Sequence, residues 1–431
     1  MNQENLYYVL FEQQKELKDK NSFVDRDLTK KVLSFVHLKL PIVITGVRRS
    51  GKSTLLHIIK NQLKLEEKEF LYINFNDERL IDFAIEDFQK ILNFLNEQNY
   101  KENCPILIDE IQETKGWEKW IDRIKEEHSI FITGSNSKLL SKEISTILTG
   151  RSINVNLYPF SFVEFLDAKH IKKENWKLDL KVQSKLRNEF LEFLSFGGIP
   201  KAIIDNDKRI LRENYENILY RDIIKRFNKN LEKPIKEISV YLLSNVSNEL
   251  STRSLSKTIQ IKNLSTVKSI LDSFENAFLF FFINKFDFSV KKQIQNPRKI
   301  YCVDNGFVTE IGFKFSENKG RILENLVFLE LKRNEDEIYY FSEKGECDFV
   351  IREGAKITRA MQVCYEINDN NKNREINGLV EAMDKFKLKE GLILTYNQED
   401  EFKVKDNKIK ILPVWKWLLE KDSKSIKVHK D

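Results

Sequence analysis

The stretch LPIVITGVRRSGKSTLLHIIK, residues 40–60, passes from an apolar, β-branched segment through a glycine-bracketed turn into a helical pattern. Within it, Gly46-Val47-Arg48-Arg49-Ser50-Gly51-Lys52-Ser53 fits the spacing G-x-x-x-x-G-K-[ST]. Each fixed position has a physical reason. The glycines let the backbone turn tightly and present successive N–H groups to phosphate oxygens. The lysine is a point charge for the outer phosphates, and the hydroxyl can ligate magnesium. Leu55, Leu56, Ile58 and Ile59 then supply the apolar side of a helix that packs on a sheet. Gly46 through Ser53, together with Thr54, are the candidate nucleotide-binding residues.

Working outward, PILIDEIQ (105–112) reads as an apolar strand ending in Asp109-Glu110. Two carboxylates then stand at the carboxyl edge of a strand, where α/β sheets bind their ligands. Asp109 suits a magnesium ligand, and Glu110 suits the orientation and deprotonation of an attacking water. FLYINFNDERL (70–80) and SIFITGSN (129–136) supply further strands. The second ends in Thr133, Ser135 and Asn136, of which Asn136 is the preferred contact to the γ-phosphate or its water. Strands alternating with helices from about 38 to 160 predict a doubly wound α/β fold. Arg151 follows a glycine in ILTGRSINVNLYPF and is a candidate to stabilise charge on a transferring phosphoryl group, in cis or from a neighbouring subunit; a solvated loop arginine is the competing reading.

GVRRSGKSTLL, ILIDEIQETKGWEKWI, FITGSNSKLLSKEISTILTGR followed by LYPFSFVEF, and FGGIPKAI together resemble the prokaryotic AAA-type ATP-binding proteins with a DUF4143-type C-terminal region. The resemblance covers most of the chain. It implies ATP and magnesium as cofactors, Lys52, Ser53, Asp109 and Glu110 at the nucleotide, Asn136 and Arg151 as sensor and finger candidates, and self-association through the ATPase domains.

With 431 residues the chain exceeds one ordinary core, so several domains are expected. Only 7 prolines and 14 glycines leave little room for flexible linkers, so these domains should abut or be joined by structured segments. The start has no basic segment leading into an apolar one, and AFLFFFI (277–283) is too short to span a bilayer, so a cytoplasmic protein without a membrane partner is expected. Cys104, Cys302, Cys347 and Cys364 form no C-x-x-C pair and suggest neither a disulfide framework nor a zinc site. A net charge of +6 leans only mildly toward nucleic acid.

The middle of the chain reads as helices. FGGIP (196–200) is a tight helix-linking turn, and ENYENILYRDIIKRF (213–227) is an amphipathic helix. From 235 to 309 three short helices precede a hairpin, which is the order of a winged-helix module. Its third helix offers Lys262, Thr266, Lys268, Ser269 and Asp272, and its wing is flanked by Lys291, Lys292, Arg298 and Lys299, expected to meet DNA phosphates or to be solvated.

Beyond 316 the order α-β-β-β-α-β fits a restriction-endonuclease-like core. A cutting enzyme of that fold needs an acid after the second strand, an acid or amide and then a lysine two residues later on the third, and often a glutamate from the preceding helix. Asp348 and Glu324 fit, but the third strand carries Gln362-Val363-Cys364, and Cys364 cannot replace an ammonium. Glu324, Asp348 and Gln362 are therefore a candidate degenerate nuclease site. The expected organisation is a P-loop ATPase core (1–160), its helical extension (161–232), a winged-helix-like domain (233–315) and a restriction-endonuclease-like domain (316–431). The expected activity is ATP hydrolysis coupled to nucleic-acid binding, with a protein-interaction switch or a divergent nuclease as alternatives.

Overall fold

The computed structural model describes residues 1–18, 23–135, 152–312, 319–404 and 406–425. They fall into two compact units, Met1–Pro159 with Asn276–Phe278, and Phe160–Glu275 with Leu279–Asp431.

The first unit is built on a parallel sheet of β1 (Ile42–Thr45), β2 (Leu71–Asn74), β3 (Ile106–Asp109), β4 (Ile130–Gly134) and β5 (Ile153–Asn156), in the order β2-β3-β4-β1-β5. Side chains alternate along each strand, and both faces are covered. Val43 enters one apolar core with Ile106 and Ile108, whereas Ile42 and Ile44 enter the other with Leu107. Strands buried on both faces read as continuous apolar runs, which is why β1, β3 and β4 were recognisable. By contrast β5 buries only Val155 and shows no such run.

The N-terminal helix Gln3–Lys18 adds Leu6, Val9 and Leu10 to the first core. It also closes the open edge of β2. The Gln14 amide donates to Tyr72 O (2.6 Å) and accepts from Tyr72 N (3.0 Å), and Gln13 does the same at Asn74 (3.1 and 3.0 Å). Two glutamines thus satisfy edge groups that would otherwise template another strand.

In the second unit, helix Leu180–Phe196 ends at Gly197 and helix Pro200–Ile204 follows directly. The continuous helix expected over 213–227 is not found. Helix Arg209–Asn217 passes into a π-helical turn, Ile218–Ile223, and then a 3₁₀ turn, Ile224–Arg226. This segment buries Ile218, Leu219, Asp222 and Ile223, with Ile224 half-buried.

Helices Glu232–Ser244, Thr252–Thr258 and Leu264–Asn276 accompany a three-stranded antiparallel sheet of β6 (Glu249–Leu250), β7 (Phe280–Asn284) and β8 (Arg298–Cys302), ordered β6-β8-β7, with helix Val290–Gln295 between the last two strands. The C-terminal sheet contains β9 (Glu337–Ser342), β10 (Glu346–Glu353), β11 (Lys356–Val363), β12 (Glu390–Thr395), β13 (Asp400–Val404) and β14 (Asn407–Pro413), in the order β13-β14-β12-β11-β10-β9. Its first three strands form an antiparallel meander; β11, β12 and β14 then run parallel. Helix Lys319–Arg333 precedes this sheet, and helix Lys372–Phe386 packs on it through Ile376, Leu379 and Met383. The anticipated α-β-β-β-α-β order is present, extended by the β13–β14 hairpin.

Candidate active site

The loop between β1 and helix Lys52–Gln62 wraps the helix N-terminus. Gly51 has φ +98°, a left-handed conformation that suits glycine, and Gly46 is packed so closely that a Cβ would lie 2.1 Å from Leu157 O. The Lys52 ammonium is buried and donates to Gly46 O and Val47 O, both at 3.1 Å, while lying 3.9 Å from Glu110 Oε1. Ser50 Oγ is fully buried and has no hydrogen-bond partner among the described residues. A helix N-terminus, a lysine and an orphaned buried hydroxyl within one glycine loop fit a nucleotide's phosphates. The Ser53 hydroxyl hydrogen-bonds Asp109, so the two residue types that would hold magnesium already adjoin.

Asp109 and Glu110 end β3, as their position in the sequence predicts. Asp109 accepts from Thr133 Oγ1 and from the Tyr72 hydroxyl (3.2 Å). Burial, with the Glu110 charge beside it, pushes the Asp109 carboxyl up, against the opposing pull of Ser53, Thr133 and Lys52. A divalent cation would remove that penalty. Glu110 has φ +51°, a strained conformation for a glutamate, and its backbone N–H donates to Thr133 Oγ1 (3.1 Å). Burial alone would raise its carboxyl, but Lys52, Gln112, Arg48 and the Ser135 N–H (3.3 Å) hold it below the usual range. Glu110 is therefore an ionised acceptor at neutral pH. Of the polar residues at the end of β4, Thr133 bridges both acids; Asn136, and Arg151 further along the chain, lie outside the described residues.

One residue that local sequence did not single out supports the loop. Arg26 is 5% exposed and donates from Nη1 to Ser50 O (2.8 Å) and from Nη2 to Tyr158 O (2.6 Å). Its partners stand 24 and 132 residues away, so no local motif signals it. Bonds from a charged donor contribute about 1.5–3 kcal/mol. Arg26→Met is expected to loosen the loop and weaken nucleotide affinity about tenfold or more, which titration with a fluorescent ATP analogue would measure.

In the second unit, Glu324, Asp348 and Gln362 do converge, but around a partner that contradicts one expectation. Lys299 does not flank the wing for phosphate contact. Its ammonium is buried against Asp348 Oδ1 (2.8 Å) and Glu324 Oε1 (3.1 Å) and reaches Glu346 Oε1 (2.6 Å). The physical reason is strand alternation: Arg298 remains half-exposed, its guanidinium 4.6 Å from the Phe282 ring, while the next side chain turns inward. Burial pushes Glu324 up to about 8, with Asp348 as the next cause. Burial raises the Asp348 carboxyl as well, so the two carboxyls share the one buried ammonium.

Parallel strands, the glycine loop on a helix N-terminus and paired acids at the end of β3 define a P-loop nucleotide-binding fold. The chain belongs to the prokaryotic AAA-type ATP-binding proteins with a DUF4143 C-terminal region. An AAA domain matches residues 39–166, a domain of unknown function, DUF8612, matches 187–317, and DUF4143 matches 319–417. The chain is 38% identical over 400 residues to uncharacterized protein MJ1544 of Methanocaldococcus jannaschii, covering 88% of each chain. It is 30% identical to an uncharacterized protein of Haemophilus influenzae, covering 88% of this chain and 94% of that one. Among solved structures it is similar to the Walker-type ATPase PABY2304 of Pyrococcus abyssi, at TM-score 0.42 and 15% identity over 67% of this chain and 96% of that one. Among the described residues no helix is long and apolar enough to cross a membrane.

Proposed function

We propose that the protein is a magnesium-dependent ATPase whose turnover is coupled to nucleic acid, most directly DNA. The observation that carries the ATPase reading is the junction of Lys52, Ser53, Asp109 and an ionised Glu110 at one strand edge. In this reading the loop Gly46–Thr54 binds the phosphates, Ser53 and Asp109 hold magnesium, and Glu110 accepts the proton of the attacking water, supported by Thr133. Magnesium would supply charge neutralisation for the β- and γ-phosphates. Asn136 and Arg151 remain the sensor and finger candidates, the latter implying assembly of ATPase domains.

Residues 1–160 are assigned as the ATPase core, 161–232 as its helical extension, 233–315 as a winged-helix module and 316–431 as the restriction-endonuclease-like domain. The DNA reading rests on helix Leu264–Asn276, where Lys268, Ser269 and Asp272 are exposed and Lys262 stands exposed just before it, and on exposed Lys291 and Lys292 at the wing. Phe288, Val290 and Ile294 are also exposed there (77%, 67% and 76%), which favours a protein partner as the second reading.

DNA stimulation of ATP turnover separates the two. Under the first reading, saturating duplex or single-stranded DNA raises turnover, and binding weakens steeply between 50 and 200 mM salt, roughly in proportion to the phosphates contacted. Unchanged turnover together with unchanged protein mobility at low salt would leave the protein-partner reading.

A further inference from the structure

Three elements meet at Lys299, on β8. Glu324 comes from helix Lys319–Arg333, and Asp348 and Glu346 come from β10. The lysine is 2% exposed, so its ammonium has lost nearly all contact with bulk water and depends on these carboxylates. Burial would pull it toward neutrality, but Asp348, Glu324 and Glu346 hold it well above the ordinary lysine range.

The remaining polar atoms around it are engaged in ways that leave little for a metal. Asp348 Oδ2 accepts from Val363 N (2.9 Å), and Glu324 Oε1 also accepts from the Tyr301 hydroxyl (2.7 Å). The Gln362 amide is held at both ends, accepting from Asp348 N (3.1 Å) and donating to Glu375 Oε2 (2.6 Å). Cys364, where a cutting enzyme of this fold carries lysine, turns its thiol to Glu366 O (3.0 Å). The third strand thus supplies neither a free ligand nor a cation. The cation comes from a different sheet.

That sheet is fastened to the C-terminal one beside the cluster. Lys285 and Tyr340 form a parallel bridge, with Phe286 N donating to Tyr340 O (2.7 Å). The Tyr340 hydroxyl donates to Pro297 O (2.7 Å), two residues before Lys299, and Tyr301 stacks on Phe328 with ring centroids 4.1 Å apart.

We propose that Lys299 is the resident cation of this cluster: its ammonium takes the place a divalent metal would take between Glu324 and Asp348, closing the C-terminal domain to metal-dependent cleavage and locking the β6–β8 module onto the six-stranded sheet. The chemistry is substitution of one cation by another. Carboxylates that face each other in a dry site need a positive charge, and a tethered ammonium is present at an effective concentration no free ion matches. The inference does not depend on the ATPase reading.

The test uses the full chain, with Mn²⁺ binding followed by electron paramagnetic resonance and stability by thermal melting. The wild type and Asp348→Asn should bind the same number of Mn²⁺ ions, because any at the nucleotide site are common to both. Lys299→Met should melt lower and gain one Mn²⁺ that raises its melting temperature, an ion lost again in Lys299→Met/Asp348→Asn. The double variant should also melt higher than the sum of the two single losses predicts. Should Lys299→Met alone fail to fold, recovery of folded protein in the double variant supports the lock, and continued failure overturns it. The proposal is also overturned if the wild type loses an Mn²⁺ or a metal-dependent DNA cleavage on Asp348→Asn, if Lys299→Met melts like the wild type, or if a folded Lys299→Met gains no ion.

Discussion

Lys52→Ala should reduce ATP turnover to background and weaken nucleotide binding by about 10–100-fold, the range set by losing one charged hydrogen bond at about 1.5–3 kcal/mol. In the structure this ammonium already sits at the loop's centre, 3.1 Å from two loop carbonyls and 3.9 Å from Glu110. It can therefore swing to a phosphate without crossing solvent. Glu110→Gln separates binding from chemistry. The amide keeps the shape but cannot accept a proton, so turnover should fall by about 10²–10⁴-fold while nucleotide still binds. The pH profile follows from the same geometry. Because the Glu110 carboxyl is held below its ordinary value, lowering the pH from neutrality should not protonate it until below about 4.3, the usual glutamate value. Turnover by Glu110→Gln equal to the wild type, in a steady-state phosphate-release assay, would sink its assignment as base.

What could be read from sequence is what the chain keeps local. The turn from β1 into helix Lys52–Gln62 is contiguous, and each of its residues has a reason to be there that needs no knowledge of the rest of the fold. Asp109 and Glu110 were legible because a strand buried on both faces is an apolar run, and its end is where the run stops. Arg26 was not, because its value lies in two carbonyls that only the folded sheet brings to it. Lys299 was misjudged for a related reason. Lys291 and Lys292 near it are exposed and Arg298 is half-exposed, and composition alone grouped it with them. Its immediate setting, Lys-Ile-Tyr-Cys within a strand whose last four residues are buried, was the available signal that it points into a core. A carboxylate on a largely apolar helix needs a partner when it is buried, and Glu324 and Lys299 are two halves of one feature separated by 25 residues. Strand β5 escaped notice because an edge strand with one buried side chain has no apolar run to betray it.

Gly197→Ala is expected to be the most destabilising single-methyl addition in the second unit, by about 2–6 kcal/mol. The FGGIP turn holds Gly197 at φ +83°, where an added Cβ would lie 1.9 Å from Asp304 Oδ1 and 2.6 Å from Gly306 N. Backbone strain at a left-handed position costs about 1–3 kcal/mol, and forcing an atom into a filled site costs about 1–3 more. The second contribution applies because the aspartate cannot move away. Asp304 Oδ2 accepts from Gly198 N (2.6 Å) and Oδ1 from Gly306 N (2.8 Å), so displacing it strands two buried donors. Urea unfolding of the full chain should show the loss as a lower midpoint for the transition of this unit. The same aspartate makes a pH signature. Burial pushes its carboxyl up to about 7, above an unfolded value of about 3.9, so the folded state takes up a proton that the unfolded chain releases. That contribution to stability is complete below about pH 4 and is lost as pH rises through about 7. Asp304→Asn, which cannot titrate, should flatten that slope while losing one of the two accepted bonds. A slope unchanged in Asp304→Asn would mean that another buried acid carries it, and the turn would then owe its two glycines to packing alone.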